Sequence, residues 1–260
     1  MAMLELADGG QLYYETIAGD SAKPVLVFLH EGLGCTAMWK DFPARLCALT
    51  GCGGLVYDRR GYGLSAALRE GRSIHYLHQY ALEELPLVLG RLLERRQYVV
   101  VGHSDGGSIA LIHAAGQPKG LLGVVTEAAH VLVEEVTLAG IREARLAFDA
   151  GKLRGLERYH GAKTEQIFGA WADTWLRPGF KRWNIEYLLA SIACPVLALQ
   201  GSGDQYGTEA QLDAIVAQAP AACEVLVPEC GHTPHQEQPE AVLAAIHGFV
   251  AELAGISASA

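Results

Sequence analysis

The residues from Val99 to Leu111, VVVGHSDGGSIAL, place a single serine among glycines at the point where an apolar run ends. Ser104 is the centre of a G-x-S-x-G pattern. Between a strand and a helix, this pattern forms a sharp turn that exposes the hydroxyl at the carboxyl edge of a sheet. A serine hydroxyl is a nucleophile at neutral pH only if a base accepts its proton and an acid orients that base. Without such partners, Ser104 would be a helix N-cap after a glycine turn.

The candidate base lies late in the chain, in the stretch CGHTPHQEQPEAV. His232 follows a glycine in a loop between the last apolar run and the last helical pattern, where it can reach back over the sheet edge. His235 is the second candidate, but it lies nearer the start of the helix. We predict that His232 is the base and that His235 is a solvated or capping residue.

The candidate acid is Asp204, in the turn GSGDQYG directly after the apolar run PVLALQ. Aspartate is also common in such turns for structural reasons. Glu127, at the end of LLGVVTE, is the second candidate. The order Ser104, Asp204, His232 is the order that a nucleophile elbow on an α/β sheet requires, so the sequence favours Asp204.

Two main-chain N–H groups should face the negative charge that develops on the attacked carbonyl oxygen. The first is that of Asp105, which follows the nucleophile. The second should come from the loop EGLGC after the apolar run PVLVFLH. We predict Gly32 as this donor, with Leu33 as the alternative.

The rest of the chain alternates short apolar runs with stretches of helical period. LELADGGQLYYE reads as a hairpin around Gly9, and six further runs read as strands: 24–30, 53–58, 98–102, 121–127, 195–201 and 223–228. This alternation predicts an α/β fold, a mostly parallel eight-stranded sheet with helices on both faces. The segment 130–191 has no buried-strand run and is rich in aromatic residues. We therefore divide the chain into a core (1–129 and 192–260) and an inserted helical cap (130–191).

Composition narrows the class of protein. The chain has 260 residues, half of them hydrophobic, and a net charge of −9. Nucleic-acid and anionic-membrane partners require a clustered basic face, so we expect neither. The N-terminus lacks the pattern of a signal peptide, and the cysteines have no CxxC spacing. We expect a cytoplasmic protein with reduced thiols, and the sequence does not indicate an oligomeric state.

Several of these stretches together resemble the α/β-hydrolase-fold serine hydrolases over almost the whole chain. They are FLHEGLG, YDRRGYGLS, GHSDGG, GSGDQYG and CGHTPHQEQPEAV. The resemblance implies a triad of Ser104, Asp204 and His232, oxyanion donors at Gly32 and Asp105, and a variable lid. It also implies that YDRRGYGLS has a structural role, with its Asp-Arg pair pinning loops near the nucleophile. Because zinc, P-loop and dinucleotide motifs are missing from the sequence, we expect no metal and no organic cofactor.

One position departs from the family pattern, because many relatives have His-Gly where this chain has His30-Glu31. A carboxylate that pointed into the oxyanion site would oppose the developing charge. Glu31 could instead face away, pair with Arg59 or Arg60, or bind a polar part of the substrate. We predict a substrate pocket that includes Glu31 and three further residues: His103, Trp171 and Trp175.

The predicted function is hydrolysis of a small carboxylic ester, thioester or lactone through an acyl-enzyme intermediate, with a small acyl compound as the only partner. Two alternatives use the same residues differently. One is carbon–carbon bond hydrolysis or other cofactor-free lyase or oxygenase chemistry, which this fold also supports. The other is a non-catalytic module that binds a ligand for signalling.

Overall fold

The computed structural model describes residues 2–257. It contains a sheet of eight strands in the order β1-β2-β4-β3-β5-β6-β7-β8. The strands are β1 (Ala2–Glu5), β2 (Gln11–Ile17), β3 (Val25–Leu29), β4 (Gly53–Tyr57), β5 (Tyr98–His103), β6 (Leu121–Glu127), β7 (Val196–Gly201) and β8 (Ala222–Val227). The predicted α/β class and the mostly parallel sheet are confirmed.

The antiparallel part of the sheet is confined to one edge. Strand β1 pairs with β2 around the Gly9 turn, and β2 pairs antiparallel with β4. All other neighbours, from β4 through β3 and β5 to β8, run parallel. Parallel strands present their carboxyl ends at one edge, so the loops after β3, β5, β7 and β8 meet there.

Eleven helices are present in the described residues. They are α1 (Phe42–Thr50), α2 (Tyr76–Gln79), α3 (Leu85–Leu92), α4 (Asp105–Ala115), α5 (Glu135–Asp149), α6 (Glu157–His160), α7 (Thr164–Leu176), α8 (Glu186–Leu189), α9 (Ala210–Gln218), α10 (Pro234–Glu237) and α11 (Pro239–Ser257). The two faces of the sheet carry separate apolar cores. One core lies under α1 and α11, and the other lies under α2 to α4 and the segment between β6 and β7.

Pro86 has a visible effect on its helix. Between α2 and α3 the chain forms a π-helical segment, Tyr80–Glu84, directly before this proline. Proline lacks an N–H, and its ring crowds the carbonyl four residues earlier, so a continuous α-helix is not possible at this point. The wider π turn accommodates the missing hydrogen bond.

The segment between β6 and β7 contains helices α5 to α8 and lies against the carboxyl edge of the sheet. His160 joins it to the core, because its Nδ1 accepts a hydrogen bond from Gly63 N (3.0 Å) and its Nε2 donates to Leu33 O (2.9 Å). Lys163 donates to the main-chain oxygens of Tyr62 and Gly63. The division into core and cap domains stays a prediction.

The described residues also bear on the expected state of the cysteines and on membrane spans. All six cysteines are present as thiols, four of them buried. Among residues 2–257, none of the helices combines the length and the apolar character that a membrane crossing requires.

Candidate active site

Ser104 lies at the tip of a tight turn between β5 and α4. Its backbone has φ 53° and ψ −116°, a left-handed conformation that a residue with a side chain rarely adopts. The turn closes because Gly102 and Gly106 lack side chains: a Cβ on the first would collide with the main chain of the second, and a Cβ on Gly106 would collide with Leu29 O. The hydroxyl is thereby held at the amino end of α4, close to its unpaired N–H groups.

The loop after β8 brings His232 to this hydroxyl. Nε2 of His232 lies 3.0 Å from Ser104 Oγ, and Nδ1 lies 2.9 Å from both carboxylate oxygens of Asp204. The carboxylate can only accept, so Nδ1 carries the proton and Nε2 is left to accept the proton of the serine. The three side chains form one hydrogen-bonded line.

Asp204 is fully buried and is held by further donors. Gln200 Nε2 donates to Oδ2 and Tyr206 N donates to Oδ1, both at 2.8 Å. Burial raises the pKa of Asp204, but the hydrogen bond and the charge of His232 outweigh it and bring that pKa below its usual value. Asp204 is therefore ionised at neutral pH.

Burial also dominates the behaviour of the base. It lowers the pKa of His232 below its ordinary value, although the hydrogen bond to Asp204 acts in the opposite direction. At neutral pH the imidazole is unprotonated and can act as a general base.

The predicted oxyanion donors lie on either side of the serine. Asp105 is the first residue of α4, where the main-chain N–H has no acceptor within the helix. Within the described residues, the N–H groups of Gly32 and Leu33 make no hydrogen bond inside the protein. Two side chains hold the loop after β3 in place. Arg59 donates to Glu31 O at 2.9 Å, and Asp58 accepts from Thr36 N at 2.6 Å. Whether Gly32 or Leu33 completes the site stays a prediction.

The two second candidates of the sequence, Glu127 and His235, bind each other. Oε2 of Glu127 lies 3.0 Å from both the main-chain N and the Nδ1 of His235. Both side chains are buried. The expectation of a solvated or capping His235 is therefore wrong, and the reason is that this carboxylate at the end of β6 offers it a buried partner.

Glu31 does not pair with an arginine side chain. Its Oε2 lies 3.6 Å from Nδ1 of His103. Burial raises the pKa of Glu31, but the interaction with His103 outweighs it and sets that pKa to about 2. Burial lowers the pKa of His103, but the nearby Glu31 carboxylate outweighs burial and raises that pKa above its usual value.

A cavity of about 120 Å³ opens directly over the serine. It is lined by Glu31, Gly32, Leu33, Ser104, Asp105, His130, Thr137, Ile141, Trp171, Trp175, Tyr206 and His232. Of the predicted pocket residues, Glu31 and both tryptophans lie in this lining. His103 does not, because its ring is buried beneath the serine and directed at the main chain of His232.

Four lining residues were not predicted as site residues: His130, Thr137, Ile141 and Tyr206. Nε2 of His130 donates to Tyr206 O at 3.0 Å, and Thr137 donates to the same oxygen at 2.5 Å. Tyr206 is only two positions from Asp204, in the loop after β7. Its position in the loop that carries the predicted acid is the feature of the sequence that could have indicated a place in the site.

Helix α7 is connected to the turn that carries Ser104 through Trp175. Its Nε1 donates to Tyr76 Oη at 2.8 Å, and that hydroxyl donates to Asp105 Oδ2 at 2.7 Å. Trp171 covers the oxyanion loop, and a Cβ on Gly32 would lie 2.5 Å from its Nε1. Trp171 thus contacts the predicted oxyanion site directly, and Trp175 is connected to it through Tyr76.

Comparison with known proteins agrees with the observed fold. The family model described as the alpha/beta hydrolase family matches residues 26–245. The chain belongs to this family. Its sequence is similar to 2-succinyl-6-hydroxy-2,4-cyclohexadiene-1-carboxylate synthase of Enterobacter sp. (strain 638), with 27% identity over 266 residues, which cover 89% of this chain and 93% of that protein.

Solved structures share the fold at lower sequence identity. A thermophilic esterase from Thermogutta terrifontis superposes with a TM-score of 0.76 and 21% identity, covering 97% of this chain and 99% of that one. A hydrolase from Pseudomonas aeruginosa PA01 gives a TM-score of 0.71 and 23% identity, with coverage of 96% and 97%. At these identities the likeness concerns the fold alone.

Proposed function

We propose that the chain is a serine hydrolase that cleaves a small, uncharged carboxylic ester, thioester or lactone through an acyl-enzyme intermediate. The observation that carries the proposal is the line from Ser104 Oγ through His232 to Asp204, with contacts of 3.0 and 2.9 Å. In this line each side chain has the partner that nucleophilic catalysis requires.

The geometry supports a two-step reaction. Ser104 Oγ attacks the carbonyl carbon while His232 Nε2 takes the hydroxyl proton, and Asp204 stabilises the imidazolium that forms. The N–H groups of Asp105 and Gly32 bind the oxyanion, and each such donor typically contributes about 3 kcal/mol. His232 then protonates the departing alcohol or thiol. In the second step it takes a proton from water, which attacks the acyl carbon. It then gives this proton to Ser104 Oγ as the bond between the acyl group and the serine breaks and the carboxylic acid leaves.

The cavity supports the restriction to small, uncharged substrates. Its volume of about 120 Å³ accommodates a short acyl group. Its walls are largely apolar, and the acidic residues in its lining are Glu31 and Asp105. Among the described residues that line it, none is lysine or arginine. A carboxylate on the substrate would therefore lie beside these acidic residues, with no lysine or arginine to pair with it.

The reaction named in the synthase relatives is the second candidate, because they match about nine-tenths of this chain. Their name describes a product that carries a carboxylate and a succinyl group. Such chemistry could use the same serine and histidine, but an anionic substrate fits poorly beside Glu31 and Asp105. We therefore place ester hydrolysis first.

A fluorophosphonate probe with peptide mapping tests the nucleophile and the base. We expect labelling at Ser104, its loss in His232→Ala, and full labelling in the control Ser202→Ala, which removes an exposed serine from the loop of Asp204. Labelling elsewhere, or unchanged labelling of Ser104 in His232→Ala, would refute the assignment. Loss of p-nitrophenyl acetate turnover by at least about 10³-fold in Ser104→Ala would exclude a purely binding role.

Two substrates of similar size distinguish the candidates. We expect kcat/KM for p-nitrophenyl butyrate to exceed that for p-nitrophenyl hydrogen succinate by about tenfold or more, because the second carries a carboxylate into the cavity. The Glu31→Gln variant should narrow this ratio. Equal or reversed rates in the unmodified protein would favour the synthase-like reaction.

A further inference from the structure

His103 lies at the second position of the nucleophile elbow, yet it contacts neither the serine hydroxyl nor the cavity. Its side chain is 2% exposed. Nε2 of its ring lies 2.7 Å from the main-chain oxygen of His232. A carbonyl oxygen only accepts hydrogen bonds, so this nitrogen carries a proton. His103 therefore holds the main chain of the residue that acts as the base, whereas Asp204 holds its ring.

The other nitrogen of the same ring faces the oxyanion loop. Nδ1 of His103 has no partner within hydrogen-bond distance in the described residues, and Glu31 Oε2 lies 3.6 Å away. The Glu31 carboxylate is ionised at neutral pH, because the nearby His103 holds its pKa at about 2. A lone pair on Nδ1 would be repelled by this carboxylate, whereas a second proton would be attracted by it. The arrangement is thus stable as an imidazolium–carboxylate pair.

We propose that His103 and Glu31 form a positioning pair that joins the loop of the base to the oxyanion loop. His103 fixes the main chain of His232, and Glu31, the neighbour of Gly32, fixes His103. The pair holds the base and the oxyanion donor at a set separation on either side of Ser104. This inference rests on the proposed function, because it assigns a purpose to the spacing of those groups.

The pair also acts on the charge of the base. The rings of His103 and His232 have centroids 5.3 Å apart, so a positive charge on the first opposes protonation of the second. The other titratable groups around His103 are Glu127 and His235. Those around His232 are Asp204, His130 and Tyr206. All of these stay in place when only the pair is changed.

Two variants remove the positive charge of His103 while a donor for His232 O stays in place. His103→Gln keeps an amide donor for His232 O but removes the imidazolium, and Glu31→Gln removes the carboxylate that stabilises it. His113→Gln is the matched control, because His113 is equally buried but bonds to Tyr98 and Ala81, away from the serine. Thermal unfolding of each variant identifies those that are folded.

We expect both pair variants to lower kcat for p-nitrophenyl acetate by about tenfold while KM changes by less than about twofold. The acid limb of kcat/KM should move to higher pH by about half a unit or more, because His232 no longer faces a cation. The control should show neither change. An unaltered acid limb and kcat in folded His103→Gln and Glu31→Gln would overturn the proposal.

An NMR titration keeps the test independent of turnover. The imidazole of His232 should titrate at higher pH in both pair variants than in the unmodified protein, and at the same pH in His113→Gln. This shift can be measured even if the protein hydrolyses none of the esters tested. Absence of turnover would then count against the proposed function, whereas an unshifted His232 would count against the pair.

Discussion

Glu127 Oε2 and His235 Nδ1 lie 3.0 Å apart in a buried pair next to the loop that carries the base. The same oxygen accepts from the main-chain N of His235. The main-chain oxygen of Glu127 accepts from Ser104 N at 2.8 Å. One glutamate thus supports both the serine and the loop after β8, without touching the imidazole that contacts the serine.

Substitution of Glu127 therefore separates a supporting carboxylate from a catalytic one. We expect Glu127→Ala to lower the free energy of unfolding by about 3 kcal/mol, because it leaves His235 buried without its partner. Activity of the folded fraction should fall by less than about 30-fold, whereas Asp204→Ala should cost at least about 10³-fold in kcat. Urea unfolding and esterase kinetics on both variants check this. A larger kcat loss in Glu127→Ala than in Asp204→Ala would make Glu127 the acid.

The contact of Trp171 with the oxyanion loop leads to a second prediction. In Gly32→Ala, the new methyl group would lie 2.5 Å from Trp171 Nε1, so either the loop or the tryptophan must move. We expect kcat to fall about 10²-fold, as when one oxyanion donor is lost. The double variant Gly32→Ala/Trp171→Leu removes this clash. Its kcat should therefore be at least about tenfold higher than that of Gly32→Ala. Full additivity of the two substitutions would show that they do not act through this contact.

Buried histidines make stability depend on pH. Burial lowers the pKa of five histidines below the ordinary value: His30, His78, His113, His160 and His232. The unfolded chain, with histidine pKa values near about 6.5, binds more protons than the native state below that pH. As the pH decreases below about 6.5, the free energy of unfolding should fall, by at most about 1.4 kcal/mol per pH unit for each such histidine.

His103 contributes with the opposite sign, because Glu31 raises its pKa. Its contribution is fully present below about pH 6.5 and is lost as the pH rises through its native pKa. Below about pH 6.5 His103 is protonated in both states and adds no slope, and the opposing group is Glu84, whose pKa burial raises to about 7. The five histidines outnumber it, so the net slope between about pH 6.5 and about pH 5 stays positive. Urea unfolding followed by tryptophan fluorescence at several pH values measures it. A flat or inverted profile would show that these imidazoles are charged in the native state.

The sequence was most informative where chain order and strand ends determine position. Ser104, Asp204 and His232 each follow an apolar run, and parallel strands bring such ends to one edge. The order of these residues along the chain then assigned their roles. The glycines of the elbow predicted the turn, because only residues without side chains permit so close an approach of two main-chain segments.

Other features depended on side-chain directions within loops that are distant in sequence. His103 and His232 are separated by 129 positions, and neither local pattern indicates that one ring would reach the main chain of the other. The partner of Glu31 was open among several choices for the same reason. Tyr206 and His130 enter the cavity through loop conformations that apolar periodicity does not encode.

The central claim is that the acyl group of the substrate becomes bonded to Ser104, and trapping that intermediate tests it most directly. The protein is mixed with a p-nitrophenyl ester, quenched with acid within the first turnover, digested, and analysed by mass spectrometry. We expect an acyl adduct on the peptide that contains Ser104 and no adduct in Ser104→Ala. Consumption of the ester by the unmodified protein with no adduct on this serine, or at an undiminished rate by Ser104→Ala, would contradict the account.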